Sequence, residues 1–232
     1  LKAVPECTPC FQKLNPFDEN AVDHVDMNYP FWIKPVKSYA SHLGFRIDSR
    51  RGFERALEKI RQEIHRFGDP FDELLEYADV PPQIHEVGGN WCLAEQIIGG
   101  VQLAPEGYVH RDEIQIHGVI DCAKDNGGKS LVRFEYPSVM PDPVQRRAID
   151  ATERLIRHIG MDNHCFNVEF FWDEEQDRLW LIEANPRISQ SHAFQFEKVD
   201  GASNHEAAVK VALGMHPDFP RREGRHGGRS AG

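Results

Sequence analysis

Apolar residues recur at two periods along this chain, and the switches between them mark its elements. Phe53, Leu57, Ile60, Ile64 and Phe67 are spaced by four, three, four and three, which puts one apolar stripe on a helix. Ser49 is its natural N-cap, and Gly68 is placed to end it. Ala148, Ala151, Leu155 and Ile159 line a second helix, which Asp142-Pro143 opens and Gly160 closes. A third helix starts at the capping-box pattern Ser203-Asn204-His205-Glu206 and stops at Gly214. A shorter one is expected over 72–77, closed by Pro81-Pro82.

Strand-like runs fill the intervals. Tyr29 to Val36 reads as a strand whose hairpin partner is Leu43 to Asp48, and Trp91 to Ile98 as a strand broken by Gly99-Gly100. Further strands are expected near 106–111, 114–122 and 130–135, with turns at 111–113 and 125–128. A hairpin follows around the acidic turn 173–177. On its first strand Asn167, Glu169 and Phe171 share a face, with Val168, Phe170 and Trp172 on the other. On its second, Glu183 and Asn185 share a face, and Leu181, Ile182 and Ala184 supply apolar packing. The architecture implied is α+β, antiparallel hairpins with helices packed against them in two lobes, and a ligand is expected between the lobes. The boundaries read as a connector over 1–28, an N-terminal lobe over 29–98, a C-terminal lobe over 99–215 and a disordered Arg/Gly-rich tail over 216–232.

Composition narrows the function. The 232 residues, 40% hydrophobic and 28% charged, describe an ordinary globular chain. A net charge of −10 argues against general binding to nucleic acid, although a local basic pocket could still hold one nucleotide. No apolar run is long enough for a membrane span and no signal peptide opens the chain, so a cytoplasmic setting is expected. The opening Leu1, in place of Met, points to a chain that starts inside a longer protein or after processing. Five scattered cysteines do not make a disulfide framework, and Cys7-Thr8-Pro9-Cys10 lacks the second pair that a zinc site needs. Neither Walker A, G-x-G-x-x-G, H-E-x-x-H nor G-x-S-x-G occurs.

The chemistry concentrates in the last hairpin. Glu169, Glu183 and Asn185 offer two carboxylates and an amide oxygen, hard donors suited to Mg²⁺, and Arg187 adds a planar fork for an anion. Lys34 interrupts an apolar strand and calls for an anionic partner, unless its stem simply snorkels from an edge. The loop after it, Ser38 to Gly44, carries the hydroxyls of Ser38 and Ser41 as a cover for phosphate. Glu95, Gln96, Ile97 and Ile98 end a strand, where freed backbone groups can meet a purine edge.

In this order, Tyr-Pro-Phe-Trp-Ile-Lys34-Pro-Val, Ala-Glu95-Gln-Ile-Ile-Gly, Asn-Val-Glu169-Phe and Leu-Ile-Glu183-Ala-Asn185-Pro-Arg187 resemble the ATP-grasp superfamily. The closest resemblance within it is to the carboxylate–amine ligase and biotin carboxylase-like branch. It implies ATP held between two α+β lobes, Lys34 on the α/β-phosphates and residues 95–98 as the adenine hinge. Glu169, Glu183 and Asn185 would hold one or two Mg²⁺, or Mn²⁺ in its place. Arg187 would face the transferred phosphate, and Gln102 stands where many relatives put an acidic residue near the ribose. The resemblance implies an N-terminal domain and an additional phosphate-contacting lysine, both upstream of the segment where this sequence begins, and the loop at 38–44 is poorer in glycine than such loops usually are. The implied activity is an ATP-dependent ligase that activates a small carboxylate as an acyl phosphate for attack by an amine. The alternatives are a bicarbonate-phosphorylating carboxylase and a non-catalytic ATP-binding module. A homodimer is the assembly such relatives commonly form.

Overall fold

Phe53, Leu57, Ile60 and Ile64 are all buried, and they close over a four-stranded sheet built from the first part of the chain. The computed structural model describes residues 2–38, 42–124 and 131–227. It divides into two compact units, Pro9–Ile97 and a larger one made of residues 2–8 and 98–227.

In the smaller unit, β1 (Phe11–Leu14), β2 (Phe31–Pro35), β3 (Phe45–Ile47) and β4 (Cys92–Gln96) lie in the order β1-β4-β2-β3, every neighbour antiparallel. Two helices, α1 (Ala21–His24) and α2 (Arg50–Glu63), pack on it. The Ser49 hydroxyl accepts the Gly52 N–H at 3.2 Å, so the expected cap forms. Full burial of each large side chain on α2 contributes about 1.5–3 kcal/mol, which anchors the helix to Phe31, Ile33 and Ile47. Residues 1–28, expected as a connector, instead hold a strand and a helix: β1 has Leu14 to bury and an open edge of β4 to pair with. Gly68 does not end the helix. After α2, α3 (His65–Leu75) runs through Gly68 and Pro70 and absorbs part of the expected 72–77 segment; α4 (Pro82–Val87) follows. The reason for glycine is contact, since a Cβ at residue 68 would lie 2.3 Å from Asn90 Oδ1. Asn90 is fixed there by donating to Asp69 and Asp72.

The larger unit is a five-stranded antiparallel sheet of β5 (Val101–His110), β6 (Glu113–Lys124), β7 (Leu131–Glu135), β8 (His164–Asp173) and β9 (Arg178–Asn185), ordered β7-β6-β5-β8-β9. The expected strand at 106–111 begins earlier, at Val101. Gly100 permits that start: its φ is +127°, and a Cβ would meet the Trp172 carbonyl oxygen at 2.2 Å. The expected turn at 125–128 lies outside the described residues.

One face of this sheet takes α5 (Asp142–His158), through Ala148, Ala151, Leu155 and Ile156 against Phe166, Val168, Phe170, Leu179 and Leu181. Ile159, expected on that buried side, is 52% exposed because the helix has ended and Ile156 fills the place. The other face takes α6 (Ala193–Val199) and α7 (Asn204–Ala212), with Tyr108, Ile120, Phe196 and Val211 in its core. Residues 216–227, expected within a disordered tail, are held. Phe219 stacks on His117, and Asp200 accepts the Arg222 N–H on its carboxylate and the Glu223 N–H on its carbonyl. Among the described residues no helix is long and apolar enough to cross a membrane. All five cysteines are free.

Candidate functional site

The β8–β9 hairpin changes its facing in mid-course. Leu179 and Leu181 pair with Trp172 and Phe170 and point into the core under α5. A bulge then inserts Ile182, so that Glu183 pairs with Glu169 and Asn185 with Asn167, on the opposite face. Strict alternation would have put Leu181 and Glu183 on one side; the extra residue separates them.

Glu169, Glu183 and Asn185 are therefore brought together. Asn185 Nδ2 lies 3.0 Å from Glu183 Oε1 and 3.5 Å from Glu169 Oε1, so one amide donates to both carboxylates. Arg187 Nη2 donates to Asn185 Oδ1 at 3.1 Å, and Nη1 to the Ile188 carbonyl at 3.3 Å. Gln102, read from sequence as a ribose neighbour, donates its amide to Glu169 Oε2 at 2.8 Å. Two carboxylates thus converge on shared N–H donors. That is a donor set with the charge and hardness for a divalent cation, once the Asn185 amide turns its oxygen inward. Among the described residues no group of three His, Cys, Asp or Glu side chains is placed to hold a metal ion, so Asn185 has to complete this set.

A cavity of about 520 Å³ adjoins this cluster. Glu169, Gln102 and Arg187 line it together with Ser189, Ser191 and His192, over a floor of Ala104, Cys122 and Phe134. No spacing in the sequence announced that the run after Arg187 would wall a cavity.

The smaller unit holds the other residues. Lys34 Nζ is 2.9 Å from Glu95 Oε2, each side chain about one-third exposed or less, so the lysine on β2 finds its anionic partner on neighbouring β4. Gln96 is less free than a strand end suggests. Its N–H donates to the Cys10 carbonyl, and its side-chain oxygen accepts the Cys10 N–H, because β1 pairs along that side. Ile97 and Ile98 follow β4 outside any strand. The Ser38 hydroxyl is turned into its own loop, donating to the His42 carbonyl at 2.6 Å, and Ser41 lies outside the described residues.

Two antiparallel α+β units, with an acidic hairpin ending in Asn-Pro-Arg, give this chain an ATP-grasp fold. Residues 112–218 match the family described as carbamoyl-phosphate synthase L chain, ATP binding domain. The chain is 34% identical over 160 residues to the carbamoyl phosphate synthase large chain of Xylella fastidiosa, covering 66% of this chain and 14% of that one. It is 30% identical over 157 residues to the N-terminal section of the large chain from Aquifex aeolicus, covering 65% and 27%. It thus spans only a small part of these relatives. Among solved structures, a biotin carboxylase complex with β,γ-ATP from Campylobacter jejuni superposes with a TM-score of 0.69 at 16% identity, over 95% of this chain and 46% of that one. The L-amino acid ligase of Bacillus licheniformis gives 0.67 at 16% identity, over 91% and 48%.

Proposed function

We propose that this chain is the ATP-grasp portion of an ATP- and Mg²⁺-dependent ligase that activates a small carboxylate as an acyl phosphate for attack by an amine. The convergence of Glu169, Glu183 and Asn185, with Arg187 hydrogen-bonded to Asn185, carries this reading. Mg²⁺ held by those three side chains would neutralise phosphate charge during transfer of the γ-phosphoryl group. Lys34 contacts the α/β-phosphates, exchanging Glu95 for a stronger anion, while the chain over 95–98 meets the adenine. Arg187 steadies the transferred phosphate, and Gln102 holds Glu169 in place as the metal enters.

A carboxylate is a poor electrophile because its carbon is electron-rich and oxide leaves badly. Phosphorylation supplies a leaving group, after which the amine displaces phosphate and forms the C–N bond. Positioning and charge stabilisation suffice for such a step, which asks for no nucleophilic side chain of the protein. Bicarbonate is the second acid to test, because a biotin carboxylase is among the proteins of similar fold.

The test is calorimetric titration of ATP with and without Mg²⁺, on wild type and Glu183→Gln. Mg²⁺-dependent binding that the substitution weakens tenfold or more, about 1.4 kcal/mol, is expected. Equal binding by the two proteins refutes the metal assignment. ADP release is then screened against carboxylates with amines, and against bicarbonate, with amide or carboxylated amine as the product that separates the two acids. Binding without ADP release under every pair would identify a non-catalytic module.

A further inference from the structure

Glu106 lies in the middle of β5 with no exposed surface, a place where a carboxylate is costly unless every oxygen is matched. Three buried donors reach it. Asn204 Nδ2 sits 2.6 Å from Oε1, His192 Nδ1 2.8 Å from Oε2, and Asn167 Nδ2 3.3 Å from Oε2. Glu106, Asn167 and Asn185 are also register partners in a row across β5, β8 and β9, so the buried carboxylate stands two strands from the amide of the candidate site.

Two of these links end on the segment that leaves β9 after Arg187. His192 closes the single turn Gln190–His192. The Asn204 amide donates to Glu106 and also to the Ser189 carbonyl at 2.7 Å. Its orientation is determined, because Oδ1 has no partner and turning the amide over would aim that oxygen at two acceptors. The segment 188–192 is therefore tied to the sheet at Ser189 and at His192, both through Glu106. Arg187 Nη1, in turn, donates to the Ile188 carbonyl. An apolar trio would fill the same volume without burying a charge, whereas a fully matched polar network specifies one arrangement of the groups it joins.

We propose that Glu106, acting through His192 and Asn204, is a positioning residue that fixes the Arg187-bearing wall of the cavity. What that wall does rests on the ligase reading; how it is held does not. The carboxylate accepts from both anchors, and neither anchor reaches the other directly. Glu106→Leu keeps much of the volume and removes both acceptor oxygens, leaving His192 and Asn204 without their common partner. Glu106→Gln is milder, because its oxygen can still accept from Asn204 while its N–H₂ meets a His192 that has changed tautomer.

The experiment follows hydrogen exchange by mass spectrometry and steady-state ADP release on the full chain, for Glu106→Leu, His192→Gln and His192→Phe. In Glu106→Leu, exchange over 188–192 should accelerate at least tenfold while 164–173 and 178–185 stay within twofold. The kcat for ADP release should fall tenfold or more with the KM for ATP within threefold. His192→Gln keeps a donor for Glu106 and should retain wild-type behaviour in both readouts; His192→Phe should behave like Glu106→Leu. The proposal is overturned if exchange over 188–192 is unchanged, or if it rises only together with the hairpin. Should Glu106→Leu fail to fold, the contrast between the two His192 variants decides. If wild type releases no ADP with any acceptor, the ligase reading falls and the exchange contrast alone decides the positioning role.

Discussion

Glu169 and Glu183 face one another across two strands, and that proximity has a price in the metal-free protein that Glu183→Gln should reveal. Both carboxylates reach the same Asn185 Nδ2, at 3.5 and 3.0 Å. With the charges ~6 Å apart, repulsion is ~0.7 kcal/mol in bulk water and ~3 kcal/mol at an effective dielectric constant of 20. Glu183 is exposed, which puts the net near the lower figure, about 1 kcal/mol. A glutamine oxygen can still accept from Asn185, so the substitution removes charge and keeps the hydrogen bond. Scanning calorimetry in EDTA at low ionic strength should therefore find Glu183→Gln melting about 2–4 °C above wild type. Salt approaching 1 M should shrink the difference, since the screening length falls to about 3 Å. Added Mg-ATP should reverse the order, because ligand at 100 times its Kd stabilises the binding-competent protein by about 2.7 kcal/mol. A variant that melts at or below wild type in EDTA at low salt would refute the argument.

Lys34→Met breaks an ion pair that is only partly buried, so melting should move by less than about 1 kcal/mol, while calorimetry should show ATP binding at least tenfold weaker. Gly100→Ala meets both a φ of +127° and the Trp172 carbonyl, and should lower stability by about 3 kcal/mol in a urea titration; a loss under about 1 kcal/mol would contradict the contact. His117 is buried, neither ring nitrogen has a hydrogen-bond partner among the described residues, and burial pulls its pKa down to about 4. The unfolded chain, titrating near 6.5, binds the extra proton between those values, so His117's contribution is intact above pH 6.5 and is lost as pH falls toward 4. That loss is of order 3 kcal/mol, and urea titrations of His117→Phe should be flatter over the same window.

Local signals survived the comparison with the structure best. Ser49 and Ser203 cap where hydroxyl and N–H spacing said they would, and α2 carries its stripe inward. The convergence of Glu169 and Glu183 was readable because two apolar strands flanking one turn each carried a carboxylate. Their direct pairing was not, since equal counting from the turn sets Glu169 opposite Ile182 and the bulge moves it to Glu183. What escaped depends on partners far away in sequence. Gly68 resembles a helix stop until Asn90 is known to press on it, and residues 11–14 become a strand only because β4 offers an edge. Residues 221–227 carry little apolar content, yet Asp200 and its neighbours collect their backbone N–H groups. Glu106 sits in a run that reads as ordinary strand; nothing local says that Asn204, 98 residues on, will donate to it.

The extra residue at Ile182 has an implication for how this hairpin can change over time. It acts as a phase break, after which odd-numbered positions of β9 stop serving the hydrophobic interior and begin serving chemistry. The two halves of the strand are thereby released from one another. Residues 178–181 can drift with the helix they support, and residues 183–185 with the ligand they meet, neither forcing the other to follow. Deleting the single residue between them would make Leu181 and Glu183 neighbours in a regular strand, which keeps them on opposite faces and removes only the bulge.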